Sequence, residues 1–331
     1  MRISNAMGYS TLHTNIARLQ EDTYYNQIRK ATGKDIVNIA QAPSRLMDVK
    51  KIIAQMNMKE NYIDANDYAI SEMRFAEDQV AAIAEAMQQI RDLSVSSTNP
   101  SYDGSVVSIG TFIKGIMTDI IRNANADFNG KYAFSGTKTR PSSILDDYPD
   151  MTNMPFELIE GPSTPENFSG FSVIFKGNME NRIINKDSHS QEVINMNAID
   201  LFGAGGVEFF QPIIDLYNVL IFTREGEVRE IIDGMDRAEK QRVNELQTIV
   251  ANNVETLNKN VAIFASRRVR IDTVTTQLRE EVTRLDEVKS LKEDADMGKL
   301  LSDLAKEEIA LQFTLSIGAT IQKYSLFDFL R

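Results

Sequence analysis

The sequence predicts a mainly α fold. A long antiparallel coiled-coil rod is built from the N- and C-terminal segments, with a central β-rich or α+β insert. Three observations predict it. Apolar residues recur at three-four spacing in both halves of the chain. Turn residues and prolines concentrate between the halves. Both ends carry stretches without charge, although charged residues make up 25% of the chain.

The first seam starts after Pro43. Leu46, Val49, Ile53, Met56 and Ile63 follow a three-four spacing interrupted at Glu60. Ala69, Met73, Ala76, Val80, Ile83, Met87 and Ile90 resume it after one phase slip. A repeat of that period needs a partner helix along its length. Turn residues in "SSTNPSYDGS" end the seam, and "VVSIGTFIKGIMTDIIRNANA" predicts a shorter apolar helix. Next, Asn129-Gly130 in "NADFNGKYAFSGTKT" predicts a two-residue hairpin, with Tyr132 and Phe134 on one strand face. Five prolines between Pro141 and Pro165 argue against helix there. "GFSVIFKGN" and "NRIINKDS" read as strands. The four residues Gly203 to Gly206, "GAGG", read as a flexible joint back to helix near Val207.

The longest seam runs through Val254, Leu257, Val261, Phe264, Arg268, Ile271, Thr275, Leu278, Val282 and Leu285. Only Arg268 and Thr275 are polar, so this helix needs the N-terminal seam as its partner. "EDADMGK" breaks it, with Asp294 or Asp296 capping the next helix. Three segments follow. Residues 1–42 and 292–331 form an inner helical domain. Residues 43–139 and 207–291 form the rod, with a hairpin near 128–136. Residues 140–206 form the outer insert.

The two ends differ from the rod. Residues 3–17 and 309–321 contain no Asp, Glu, Lys or Arg. A helix apolar nearly all round must be buried, and one antiparallel partner covers only one side. Thirteen residues are too few for a bilayer, which needs about 20. Neighbouring copies or other subunits are left to cover the rest. The candidate subunit contacts at the start are Ile3, Met7, Leu12, Ile16 and Leu19. Those toward the end are Leu304, Ile309, Leu311, Phe313, Leu315, Ile317 and Ile321. Leu326, Phe327, Phe329 and Leu330 make an apolar plug in the terminal "KYSLFDFLR".

Composition excludes several functions. A formal net charge of -11 argues against nucleic acid as main partner, because phosphate binding needs a basic face. Without cysteine, disulfides and thiolate metal sites are excluded. No apolar h-region marks a cleaved signal, and no apolar run reaches the length of a membrane span. His13 and His189 are the only histidines, and neither has metal-ligand spacing. Asp294 and Asp296 lack the further oxygen ligands of a calcium loop. The glycines at 203–206 match no phosphate-binding pattern. "RRVR" at Arg267 to Arg270 reads as charge pairing with acidic neighbours, and Met47, Met56 and Met58 as adaptable core. These readings predict neither an enzyme nor a cofactor.

Five stretches then resemble a known family: "MRIS", "TGKDIVNIAQAP", "NGKYAFSGTKT", the "DAD" break and "SLFDFLR", in this order. Together they are similar to the flagellin family, over roughly residues 1–140 and 210–331. They resemble its hook-associated members more than its filament flagellins. One departure is that "NIAQAP" has no Asp near Pro43, where the family usually carries an acidic pair. The resemblance implies a structural adaptor joining hook to filament, in the flagellum and secreted, periplasmic where flagella are internal. It implies terminal segments that pair as an inner coiled coil and order on assembly. The implied partners are copies of the chain, the other junction protein, flagellin and an export chaperone, with neither nucleic acid nor membrane. Competing readings are a filament-forming flagellin and a cytoplasmic coiled-coil interaction protein.

Overall fold

The computed structural model describes residues 2–37, 42–145, 153–231 and 233–329. The chain divides into two compact units, Met1–Glu60 with Arg279–Arg331, and Asn61–Leu278. The fold class matches the expectation: long helices dominate, and the strands are short and antiparallel.

Four long helices carry the periodic segments: α1 (Arg2–Thr32), α2 (Pro43–Ser97), α7 (Arg237–Glu293) and α8 (Met297–Phe329). Their ends have identifiable causes. Gly33 follows α1 at φ +72°, and its N–H donates to Arg29 O at 2.8 Å. That left-handed closure is open to glycine at little cost. Pro43 starts α2, where a missing N–H costs nothing. Asp236 and Glu239 form a reciprocal capping box at the start of α7. The Glu239 N–H donates to Asp236 Oδ1 at 2.7 Å, and the Asp236 N–H to Glu239 Oε2 at 2.8 Å. Asp296 caps α8 by accepting the Lys299 N–H at 3.0 Å, in the expected break.

In the unit Asn61–Leu278, α2 and α7 bury the expected seams. Met73, Val80, Ile83, Met87 and Ile90 on α2 are fully covered, as are Leu257, Phe264 and Ile271 on α7. The two polar seam positions are both satisfied. Thr275 donates to Ile271 O at 2.8 Å. Arg268 Nε donates to both oxygens of Glu77, at 3.0 and 3.1 Å. Arg270 likewise meets Glu192, so the basic cluster pairs with acidic neighbours as expected. The early part of α2 corrects one detail. Ile53 is exposed and Ile52 is buried in its place. The seam also passes through half-buried Lys59, not Glu60, and through buried Asn66. Ala69 and Ile70 are both buried, which is where the phase slips. Met47 and Met58 are exposed, not core; Met56 is half-buried.

The same unit holds a second core. Helix α3 (Val106–Ala124) lies against α6 (Gln211–Ile221). Gly110 permits the approach: a Cβ there would sit 3.1 Å from Leu220 Cβ and 2.8 Å from Ile221 Cδ1. By length and composition the segment Pro100–Ala124 could cross a membrane, contrary to expectation. Its apolar face, with Ile109, Ile113, Met117 and Ile120, is buried inside this protein core. The hairpin β1 (Asp127–Phe128) and β2 (Lys131–Tyr132) turns at Asn129 (φ +53°) and Gly130 (φ +73°), as "NG" predicts.

The insert contains two hairpins. Strand β3 (Phe156–Glu160) pairs with β4 (Phe171–Phe175), with Phe156 opposite Phe175. Strand β5 (Ile183–Asn185) pairs with β6 (Gln191–Val193). Asn125, just after α3, extends β3 by exchanging two hydrogen bonds with Phe156, at 2.7 and 2.8 Å. Short helices occur at α4 (Pro141–Leu145) and α5 (Ala198–Phe202). Helix α4 corrects the reading of the proline-rich stretch: Pro141 occupies its first position, the one helical site proline favours. The glycines at 203–206 form a packed turn, not a slack joint. A Cβ on Gly206, at φ +74°, would lie 2.9 Å from Ala198 Cβ. Phe156, Phe202, Phe209 and Phe210 pack ring against ring at 5.1 to 6.2 Å and anchor the insert.

Phe264 is fully buried on the α7 seam, so Phe264→Ala should remove about 3–5 kcal/mol from this unit. Urea unfolding followed by helical circular dichroism measures it, as a lower midpoint with unchanged slope.

Candidate assembly surface

In the unit Met1–Glu60 with Arg279–Arg331, α1 and α8 run antiparallel. Asn26 near the end of α1 meets Glu307 near the start of α8, and Leu12 meets Gly318. Asn26 is buried, and its amide donates to both Glu307 oxygens at 2.8 and 2.9 Å. Arg29 donates to Asn26 Oδ1 at 3.1 Å. This polar clasp fixes the register of two helices whose apolar residues would tolerate sliding.

The linkers zip together beside it. Lys34 and Asp294 form an antiparallel bridge. The Asp35 N–H donates to Glu293 O at 2.7 Å, and the Ala295 N–H to Gly33 O at 2.8 Å. Lys34 pairs with Glu293, Lys59 with Glu281, and Lys292 with Asp48 at 2.7 Å. The Lys292 ammonium holds the Asp48 carboxyl below the usual carboxylate range. An open polar cleft of about 590 Å³ lies beside the clasp, with Asp22, Arg29, Asp35, Arg45 and Asp303 on its walls. Its charges are mixed. Among the described residues, no group of three or more His, Asp or Glu is placed to hold a metal ion.

The predicted contact residues fall into three groups. Leu12, Ile16, Leu19 and Leu311 are half-buried and Leu304 is buried, on the faces where α1 and α8 meet. Met7, Ile309, Phe313, Leu315 and Ile317 are exposed, Phe313 to 66%. At 3.6 residues per turn, Ile309, Phe313 and Ile317 form a row on the side of α8 away from Leu304, Leu311 and Gly318. Met7 lies likewise opposite Leu12, Ile16 and Leu19 on α1. For Ile3, Ile321, Leu326, Phe327 and Phe329 the helical backbone is described and the side chain is not. Leu330 lies outside the described residues, as do Asn38 to Gln41 of the early loop. The Asn26–Glu307 clasp and the small residue Gly318 opposite Leu12 were missed from sequence. A buried amide and a glycine at helix-facing spacing were the available signals.

The family model for the bacterial flagellin N-terminal helical region matches residues 3–139. Over these residues the chain is similar to the flagellin family. The matched region spans α1, α2, α3 and the β1–β2 hairpin. No curated protein matches the chain. Two solved structures share the fold. One is from Vibrio parahaemolyticus, a protein assigned as a flagellar hook-associated protein. It is 16% identical with a TM-score of 0.59, over 76% of this chain and 99% of that one. The other is flagellar hook-associated protein-3 from Legionella pneumophila. It is 10% identical with a TM-score of 0.53, over 75% of this chain and 99% of that one.

The lowered Asp48 carboxyl on α2 makes a signed prediction. Asp48 contributes stability above its unfolded value of about 3.9 and loses it as pH falls through the lower folded value. Asp48→Asn should therefore lower the melting temperature at pH 7. That difference should fade in melts run at successively more acidic pH.

Proposed function

We propose that the chain is a structural adaptor of the bacterial flagellum. It joins hook to filament and self-assembles by packing its terminal helices, and it performs no catalysis. The observation that carries this reading is the apolar row Ile309, Phe313 and Ile317 on the side of α8 that α1 leaves open. The flagellin-type N-terminal region and the fold shared with hook-associated proteins support the same reading.

The physical logic is burial conditional on position. Each exposed side chain of the row gains about 1.5–3 kcal/mol when fully covered. The terminal Leu326, Phe327, Phe329 and Leu330 would add on the order of 6–12 kcal/mol as an upper bound. Ordering a terminal segment costs about 1–2 kcal/mol per residue in backbone entropy. Neighbours supply the burial that offsets this cost, so the ends gain order where the assembly grows. In this reading residues 1–42 and 292–331 are the inner assembly domain, and residues 43–139 and 207–291 the rod. Residues 140–206 face outward. Met7, Leu315 and Ile317 join Ile309 and Phe313 as subunit contacts, and Leu12, Ile16, Leu19, Leu304 and Leu311 hold the pair that presents them. Ile3, Ile321 and the terminal plug complete the surface. Head-to-tail contacts of this kind build helical layers when the rotation does not close. The partners are further copies, the other junction protein below, flagellin above, and an export chaperone beforehand. The location is the flagellum, outside the cell or in the periplasm.

Deleting the gene should leave complete hooks, no filaments, and flagellin in the medium, seen by electron microscopy and by immunoblotting. Label along the whole filament would instead assign the chain as a filament flagellin. Removing residues 326–331 should leave the helical circular dichroism of the unit Asn61–Leu278 intact and abolish incorporation; normal motility in that strain would refute the plug.

Phe313→Asp separates surface from pairing. Its side chain projects away from α1, so the variant should keep the wild-type melting temperature within about 0.5 kcal/mol of stability. It should fail to attach filaments in a motility assay.

A further inference from the structure

The two hairpins of the insert are held by different physics. The β3–β4 hairpin is fastened by buried phenylalanines, Phe156 and Phe171 among them. The β5–β6 hairpin has little apolar anchorage: Ile183 is 56% exposed, and Ile184 is only partly buried. Polar groups tie it instead to both helices of the pair beneath it. From α7, Arg270 grips Glu192 with two bonds of 2.9 Å; within the hairpin, Lys186 Nζ also donates to Glu192 at 3.1 Å. From α2, Asn66 Nδ2 donates to Lys186 O at 3.0 Å. Glu72, also on α2 and almost fully buried, pairs with Arg182 at the foot of the hairpin.

These ties are imperfect. Asn66 Oδ1 and Arg182 Nε are buried without a hydrogen-bond partner. A buried ion pair gives little net stability, because desolvation offsets most of the attraction. Each unmatched polar atom costs more. Meanwhile the base of the hairpin is firmly built. Asn195 Oδ1 accepts the Arg182 N–H at 2.7 Å, and Asn195 Nδ2 donates to Glu180 O at 3.1 Å and to Asn197 Oδ1 at 2.9 Å. At the tip, Asp187 closes the turn by accepting the His189 and Ser190 N–H groups at 2.6 and 2.8 Å. The hairpin is therefore a self-contained strip with a fixed base and a weak underside.

We propose that the β5–β6 hairpin is a releasable strap. Residues 183–193 lift as a unit from α2 and α7, pivoting at the Asn195–Asn197 network. Closed, the strap ties the insert to both helices. Open, the insert keeps its phenylalanine core, the Asn125–Phe156 hydrogen bonds and the Asn260 contact from α7 to Asp200 O, so the strap adds to how firmly the insert is oriented.

Hydrogen exchange on the full chain at neutral pH tests this, comparing β5–β6 amides with β3–β4 amides. Arg270→Gln and, independently, Glu192→Gln should each speed β5–β6 exchange by about tenfold or more while β3–β4 protection is unchanged. A rise in both hairpins together would overturn the proposal, since the insert would then open only as one cooperative body. No change in either variant would overturn it equally, since the ion pairs would then not hold the strap.

Discussion

The fold depends on one constraint: a helix with a continuous three-four seam must find a partner of matching repeat. Helix α7 supplies the longest such seam, and α2 is the segment that can cover it. Chain direction then follows, because α2 and α7 lie in opposite halves of the sequence and everything between them must leave the pair and return. The insert, with α3, α6 and the small sheets, is the consequence. Its own core rests on phenylalanines and on the closeness that Gly110 allows between α3 and α6.

Periodicity made the helices legible, since the seam positions named on α7 are all buried or half-buried. It failed where a polar residue served the seam. The sequence marks Glu60 as the interruption, but the seam runs through Lys59 and Asn66, and each has a specific partner, Glu281 and Lys186 O. An apolar pattern cannot reveal a satisfied polar group, because its partner lies more than a hundred residues away. Ile52 and Ile53 show a related limit. Two adjacent isoleucines fit two phases, and only packing selects between them. Proline counting misread α4 for a simple reason: a proline ends a helix from inside but suits its first position. The "NG" turn was legible because its chemistry is local, and so was an aspartate cap at 294 or 296, between which the structure selects Asp296.

The candidate surface divides along the same line. Absence of charge in residues 309–321 gave the expectation that α8 needs cover on more than one side. It could not tell which side α1 would take. The structure assigns Leu304 and Leu311 to α1, and leaves Ile309, Phe313 and Ile317 outward. That choice is set by the Asn26–Glu307 clasp and by Gly318, which let α1 approach on one face only. A slide of one turn along α8 would break both hydrogen bonds to Glu307 and press Leu12 against a larger residue.

Specificity in such a surface comes from the polar clasp more than from the apolar row. Apolar side chains reward any burial, so an uncharged helix alone would pair with many partners and in many registers. A buried amide bonded to a carboxylate rewards one register and penalises the rest, since each shifted register leaves Asn26 or Glu307 unmatched. The clasp thus fixes which side of α8 faces α1, and Ile309, Phe313 and Ile317 lie on the other side. It also explains why the charged residues stop where they do. Glu307 and Glu308 are the last acidic residues before the uncharged stretch, and Glu307 is the one that closes the clasp. Beyond Glu308, residues 309–321 carry no charge.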